Sequence, residues 1–551
     1  MLLSRSVLAR NIFKNVFKYE EGVKMIFTKS LLYAARTYPE KLAIIDGKHK
    51  FSYRELINRT AKLKQSLQGM GIKKGDRVGM LMLNDFRYIE LMYGVTALGA
   101  IVVPLNIRSN PEELAFILNN AGVTILYIHK EFLPVVPYLK GNVSGVRHFI
   151  LAEDAKLMES IESDDIESYE KLIDAQPDGK LAYEGVDDED IVGIFYTGGT
   201  TGRPKGVMLT HKNLTVNSYH MLANIKCAED DVYLHAAPMF HLADQASTNL
   251  FTMLGATHAI IRMFTPQGVL QAIQDAKVTV CTLVPTMLNF LFHDPEFQNY
   301  NLSSLRRLTY GASPMSIALL KKSQTMMPHV KFNQAFGMTE AAPVLTILKE
   351  KDHIIGGTEK EEKRLNSCGQ AVQGVEIKVV NPEGNEVPNH QVGELIARGA
   401  NIMKGYWDLP EETAHAIRAG WYYTGDLGYK DEDEYYYIVD RAKDMIITGG
   451  ENVYSIEVEE VLSSHPAILE CAVFGIPDER WGETVKACVV LKTPDLVTGE
   501  DIISFAKQHL ATYKVPKTVV LLDELPKSGA GKNLKRTLRD QFWKGSRKLV
   551  N

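Results

Sequence analysis

Three threonines and three glycines fill six consecutive positions, Thr197-Gly198-Gly199-Thr200-Thr201-Gly202, and Arg203-Pro204-Lys205-Gly206 follow at once. A stretch with so little side-chain bulk lets an anion approach the backbone amides. Glycine also reaches the φ > 0 conformations in which successive N–H groups converge on one point. Threonine hydroxyls add donors or a Mg²⁺ ligand, and Lys205 adds a point charge for phosphate oxygens. The apolar run Ile191–Phe195 before it reads as a buried strand ending at the loop. The combination is a polyphosphate cradle, but not a Walker A loop. That pattern needs Gly-x-x-x-x-Gly-Lys-Ser/Thr, and here Pro204 precedes the lysine and Gly206 follows it.

With 551 residues the chain is too long for one core, so two or more domains are expected. A net charge of −5 disfavours nucleic acid as a partner. Cys227, Cys281, Cys368, Cys471 and Cys488 show no C-x-x-C spacing, which suggests a reducing compartment and neither a disulfide framework nor a zinc site. The longest apolar stretches are interrupted by Pro104 and Pro285, so no transmembrane helix is expected. Residues 1–24 form a basic extension: up to Tyr19 there is no acid, while Arg5, Arg10, Lys14 and Lys18 accompany an apolar stripe. It has the pattern of a mitochondrial transit peptide or a membrane-surface helix. The preferred reading is an extension outside the fold, with Met25 as the working start and a cytoplasmic location.

Asp76–Leu83, Ile101–Pro104 and Val123–Ile128 read as strands, and Phe86–Leu98 as a helix between the first two. Asn110-Pro111-Glu112-Glu113 opens a second helix with an N-cap, a first-turn proline and early acids, and Gly122 closes it. Strands and helices alternating at this spacing mean a parallel α/β sheet. The acidic segment from Glu153 to Asp190 is expected to be a solvated surface connection. Past about Gly369, short alternating runs (Val375–Val380, Gly393–Arg398, Tyr435–Val439) suit antiparallel strands. Asp440-Arg441-Ala442-Lys443-Asp444 is a charged bridge to a smaller C-terminal unit with a helix at Ser455–Ser464 and a strand at Val485–Leu491.

Four further motifs each carry a committed polar group: Asn333–Glu340, the expected turn Tyr423–Gly428, Asp440–Asn452 and Pro526–Arg536. Together with the phosphate loop, and in this order, they resemble the AMP-forming acyl-CoA synthetases of the adenylate-forming (ANL) superfamily, most nearly the medium- and long-chain fatty-acid–CoA ligases. The resemblance covers the chain from about Met25 onward. It implies an α/β fold: a large N-terminal domain of parallel α/β sheets with a small β-barrel-like subdomain, then a small mobile α+β C-terminal domain. The boundaries expected are 25–440 and 441–551.

The reaction implied joins a carboxylic acid to ATP with Mg²⁺, giving an acyl-adenylate and pyrophosphate, and then passes the acyl group to coenzyme A. An ionised carboxylate has no proton to lose, so positioning and charge neutralisation suffice without a general base. On this resemblance Thr197, Gly198, Gly199, Thr200, Thr201, Gly202 and Lys205 hold the phosphates. Glu340 and Thr200 hold Mg²⁺, and Thr339 touches the α-phosphate. Gly311, Ala312, Ser313, Gln334, Ala335, Phe336 and Gly337 flank the adenine. Asp426 takes the ribose hydroxyls and Arg441 supports them. Lys532 bridges carboxylate and α-phosphate, Lys443 is the hinge, Gly449 and Gly450 meet the pantetheine arm, and His241 gates acyl pocket and thiol channel.

The sequence departs from the family pattern at Gly198, where serine is common, and at Ala530 and Asn533 beside the lysine. Two other readings stand beside the leading one: a free-standing enzyme loading a carrier protein, and a nucleotide-binding regulator without catalysis. The resemblance leaves homodimer formation and peripheral membrane contact open.

Overall fold

The computed structural model describes residues 24–158, 165–197, 203–313, 315–478, 480–494, 496–527 and 533–543. Two large sheets dominate. One has eight strands in the order 405–406, 205–210, 191–197, 101–104, 77–81, 123–128, 148–151, 167–168. The other has nine, in the order 370–371, 344–348, 331–337, 307–311, 280–283, 232–235, 257–260, 42–46, 49–52. Their central strands run parallel, and antiparallel pairs close the nine-stranded sheet at both ends. Helix Phe86–Thr96 is buried along its whole length. It packs in a core that takes residues from both sheets; most of its side chains are apolar, and its two charged residues, Arg87 and Glu90, are buried with ion-pair partners.

Local chemistry sets the element ends. Asn110 accepts the Glu113 amide at 2.8 Å, Pro111 opens the helix, and Gly122 ends it at φ +64°. A third, antiparallel sheet combines Val375–Val380, Gly393–Gly399, Ile417–Arg418, Trp421–Lys430 and Tyr436–Arg441. It stands where the barrel-like subdomain was expected. A fourth sheet, of strands 446–448, 451–453, 468–478, 482–491 and 518–521, packs against helices Ser455–Ser463 and Gly499–His509 around a separate small core. No helix among the described residues is long and apolar enough to cross a membrane.

Two expectations are corrected. Tyr423–Gly428 is not a turn but the middle of the ten-residue strand Trp421–Lys430. Pairing with strands on both sides overrides the turn preference of Thr-Gly-Asp, and Gly425 absorbs the irregularity at φ +71°. The acidic segment after Glu153 is not simply solvated either. Asp154 and Glu170 reach the buried guanidinium of Arg87, 2 % exposed, at 2.8 and 2.6 Å, and Asp85 completes the group at 3.1 Å. A buried arginine needs such partners, because taking an unpaired charge out of water is expensive.

Replacing Arg87 by alanine would therefore leave these carboxylates uncompensated. The first unfolding transition should lose about 3–5 kcal/mol of stability in a denaturant titration, against little change for Arg54→Ala, whose partner Glu40 is exposed.

Candidate active site

Strands Arg307–Gly311 and Lys331–Gly337 run side by side, with Gly311 opposite Ala335. Where they end, backbone meets backbone. A Cβ on Gly311 would lie 2.1 Å from the Ala335 carbonyl oxygen, and one on Gly337 would lie 1.8 Å from that of Pro343. Only glycine fits at either place. Ala312 turns the chain away at φ +65°. The result is a slot floored by Gly311-Ala312-Ser313 and Gln334-Ala335-Phe336, opening into a cleft of about 1830 Å³.

The polar groups of the cleft come from all sides. Glu340 sits in a 3₁₀ turn after the second strand, and its carboxylate accepts the Tyr406 hydroxyl at 3.0 Å. Burial, then the Glu340 charge, holds Tyr406 well above the usual phenol range, so it remains a donor. Lys205 begins the return strand opposite Thr197. Its ammonium pairs with Glu412 at 2.5 Å and lies 5.3 Å from the centre of the Tyr406 ring.

Alternation along Trp421–Lys430 turns Asp426 inward with Tyr422 and Thr424. Asp426 pairs with Arg441, its cross-strand neighbour, at 2.5 Å. Burial alone would lower Arg441, but Asp426 and then Glu340 hold its guanidinium above the ordinary value. The backbone before Asp426 is fixed as well, since the Gly425 amide donates to Glu394 at 3.0 Å.

Of the residues singled out in the sequence, Thr197, Lys205, His241, Gly311, Ala312, Ser313, Gln334, Ala335, Phe336, Gly337, Thr339, Glu340, Asp426, Arg441 and Lys443 all line this one cleft. His241 precedes helix Leu242–Leu254, with its ring 4.4 Å from that of Phe240. Gly449 and Gly450 do not line the cleft. They form the two-residue tip of the hairpin Ile446–Val453, both at positive φ, and the Trp481 ring leaves no room for a Cβ on Gly449. Gly198, Gly199, Thr200, Thr201, Gly202 and Lys532 lie outside the described residues. Lys527 and Asn533, on either side of Lys532 in the chain, both line the cleft.

Tyr406 and Glu412 escaped the sequence reading, since their partners stand 66 and 207 positions away. The one local signal was the aromatic pair Tyr406-Trp407 a few residues before Glu412; in the structure Gly405-Tyr406 is a short strand.

Such a cleft can neutralise a polyphosphate and a carboxylate together without any general base. Glu340 offers a hard oxygen donor suited to Mg²⁺. A separate group of three potential ligands, His129, Glu131 and Glu153, suits a metal poorly. Arg262 already pairs with both carboxylates, and His129 Nδ1 accepts the Leu83 amide, which leaves the proton on Nε2.

Residues 31–407 match the model of the AMP-binding enzyme family, and residues 457–532 match its C-terminal domain. The chain belongs to the AMP-binding enzyme family. A feruloyl-CoA synthase from Amycolatopsis sp is 37 % identical over 92 % of this chain and 97 % of its own. A long-chain-fatty-acid–CoA ligase from Bacillus subtilis is 34 % identical over 92 % and 93 %. Among solved structures, the anthranilate CoA ligase AuaEII in complex with anthranoyl-AMP superposes with a TM-score of 0.85 at 26 % identity, over 94 % of this chain and 97 % of that one. This AMP-binding enzyme is an AMP-forming acid–thiol ligase of the acyl-CoA synthetase class.

Gly337→Ala should weaken AMP binding by at least about tenfold in calorimetry, because the new methyl must displace backbone. Gly141→Ala, where a Cβ meets nothing within 4 Å, is the neutral control.

Proposed function

We propose that this AMP-binding enzyme activates a monocarboxylic acid with an apolar body, a medium- or long-chain fatty acid, and delivers it to coenzyme A. One observation carries the reading. The glycine-floored slot, the Lys205 and Arg441 cations and the Glu340 carboxylate meet in one cleft, which Lys527 and Asn533, the described neighbours of Lys532 in the chain, also line. In this reading Thr197–Lys205 takes the phosphates, Glu340 with Thr200 takes Mg²⁺, and Thr339 steadies the α-phosphate. Asp426 and Arg441 take the ribose, and Lys532 bridges the acid and the α-phosphate. Residues 25–440 form the adenylating body. Residues 441–551 turn about Lys443, so that the Gly449-Gly450 hairpin serves the thiol after adenylation.

The substrate side supports a single carboxylate. His241–Leu250, Tyr310–Pro314 and Phe336–Val344 contain no lysine or arginine to receive a second one. A second reading is an aryl acid of the hydroxycinnamate kind, favoured by the 37 % identity to a feruloyl-CoA synthase.

The deciding measurement is AMP release from Mg·ATP, with and without CoA, across straight-chain acids from acetate to palmitate plus benzoate and ferulate. The expected result is CoA-dependent turnover with its maximum among the medium or long straight chains. A maximum at ferulate selects the aryl reading, and silence with every acid overturns both. In the same assay Lys532→Ala should lose adenylate formation by about a hundredfold or more while still passing a supplied acyl-adenylate to CoA. Equal loss of both half-reactions would remove Lys532 from its assigned role.

A further inference from the structure

Helix Lys535–Arg539 starts three residues after Lys532 in the chain. Its two end residues are four apart, so they share a face. Arg539 reaches the bridge 440–444 directly and Lys535 reaches it through Ser455. Lys535 pairs with Glu459 at 2.7 Å and donates to the Ser455 hydroxyl at 2.6 Å. That hydroxyl and the Ser455 amide donate in turn to the two Asp440 oxygens at 3.0 and 2.5 Å. Arg539 donates to the carbonyl of Lys443 itself at 3.2 Å and lies 3.5 Å from Asp444. Between them Leu538 is buried in an apolar cluster with Phe474, Cys488 and Leu525 of the C-terminal unit.

These contacts straddle Lys443. Asp440 is fixed on the N-terminal side, opposite Leu427 in the third sheet, and the Ala442 amide donates to Gly425. Ser455, Glu459 and Lys535 lie on the far side. A turn of the C-terminal unit about Lys443 must pull Asp440 away from Ser455, which Lys535 braces. The bonds are not weak ones. Asp440 is 1 % exposed and charge-assisted, and burial of Lys535 is offset by Glu459 and then Asp440, so the ammonium keeps its charge.

We infer that Lys535 and Arg539 are positioning residues that clasp the hinge. They hold Lys527 and Asn533, which flank Lys532 in the chain, at the cleft for the first half-reaction, and the clasp opens at Asp440 before the second. The inference rests on the roles proposed above for Lys532 and Lys443. Loss of the clasp should therefore slow adenylation alone, because the Lys532 segment would then sample its docked position less often. A purely structural ion pair would lower both half-reactions together.

The test compares full-length wild type with Lys535→Ala, Lys535→Arg and Asp440→Asn. Three quantities are read: acid-dependent ATP–pyrophosphate exchange over the panel above, thioester formation from a supplied acyl-adenylate and CoA, and amide hydrogen exchange over residues 454–458. Lys535→Ala and Asp440→Asn should lose about tenfold or more in pyrophosphate exchange, mainly in kcat. Transfer from supplied adenylate should stay within about twofold. Amide exchange at 454–458 should speed up by about tenfold, and Lys535→Arg should restore all three. A proportional fall in both half-reactions, or unchanged amide exchange, overturns the clasp. Absence of acid-dependent exchange in the wild type instead overturns the adenylation reading, and the amide exchange then judges the clasp by itself.

Discussion

Backbone pressed on backbone at the ends of two parallel strands shapes everything around the cleft. At Gly311 and Gly337 neighbouring backbone already occupies the place a Cβ would take, so no larger residue can stand on the cleft floor at either point. The chain leaving Gly337 then turns at once into the Thr339–Ala341 3₁₀ turn and places Glu340 at the cleft wall. A methyl group at either glycine would move the floor and the carboxylate together. Packing density makes such a strain hard to absorb elsewhere.

The third sheet does two jobs with one strand pair. Trp421–Lys430 and Tyr436–Arg441 bring Asp426 and Arg441 side by side at the cleft, and the same second strand runs straight into the bridge at 440–444. The residue paired with Asp426 in the cleft and the residue tied to the C-terminal unit are thus adjacent, Arg441 and Asp440. Both residues line the cleft, so a movement of the C-terminal unit reaches it directly.

Much of this was legible in the chain because its causes are local. The Asn110 cap, Pro111 and the left-handed Gly122 are decided within a dozen residues. The cleft residues from Gly311 to Glu340 were legible as a motif, since glycines in fixed order betray close approach. Contacts that depend on distant sequence were not. Nothing near Tyr423–Gly428 tells that two strands will flank it and straighten a turn-forming tripeptide. Nothing near Glu153 tells that Arg87 lies buried and in need of anions. Glu412 looks like one more acid on a short solvated helix until the fold sets it against Lys205.

That last pair has a consequence for how anions enter. Lys205 is not an open cation awaiting a ligand, because Glu412 already neutralises it above the Tyr406 ring. In the proposed role of Lys205, a phosphate arriving there trades places with a carboxylate, so binding is a swap of one anion for another. Small singly charged ions gain too little from such a trade to stay. In the proposed function a polyphosphate brings several charges at once and can drive it. When the phosphates depart Glu412 can pair with Lys205 again, so the exchange runs equally in both directions and sets a threshold that a weak anion does not pass.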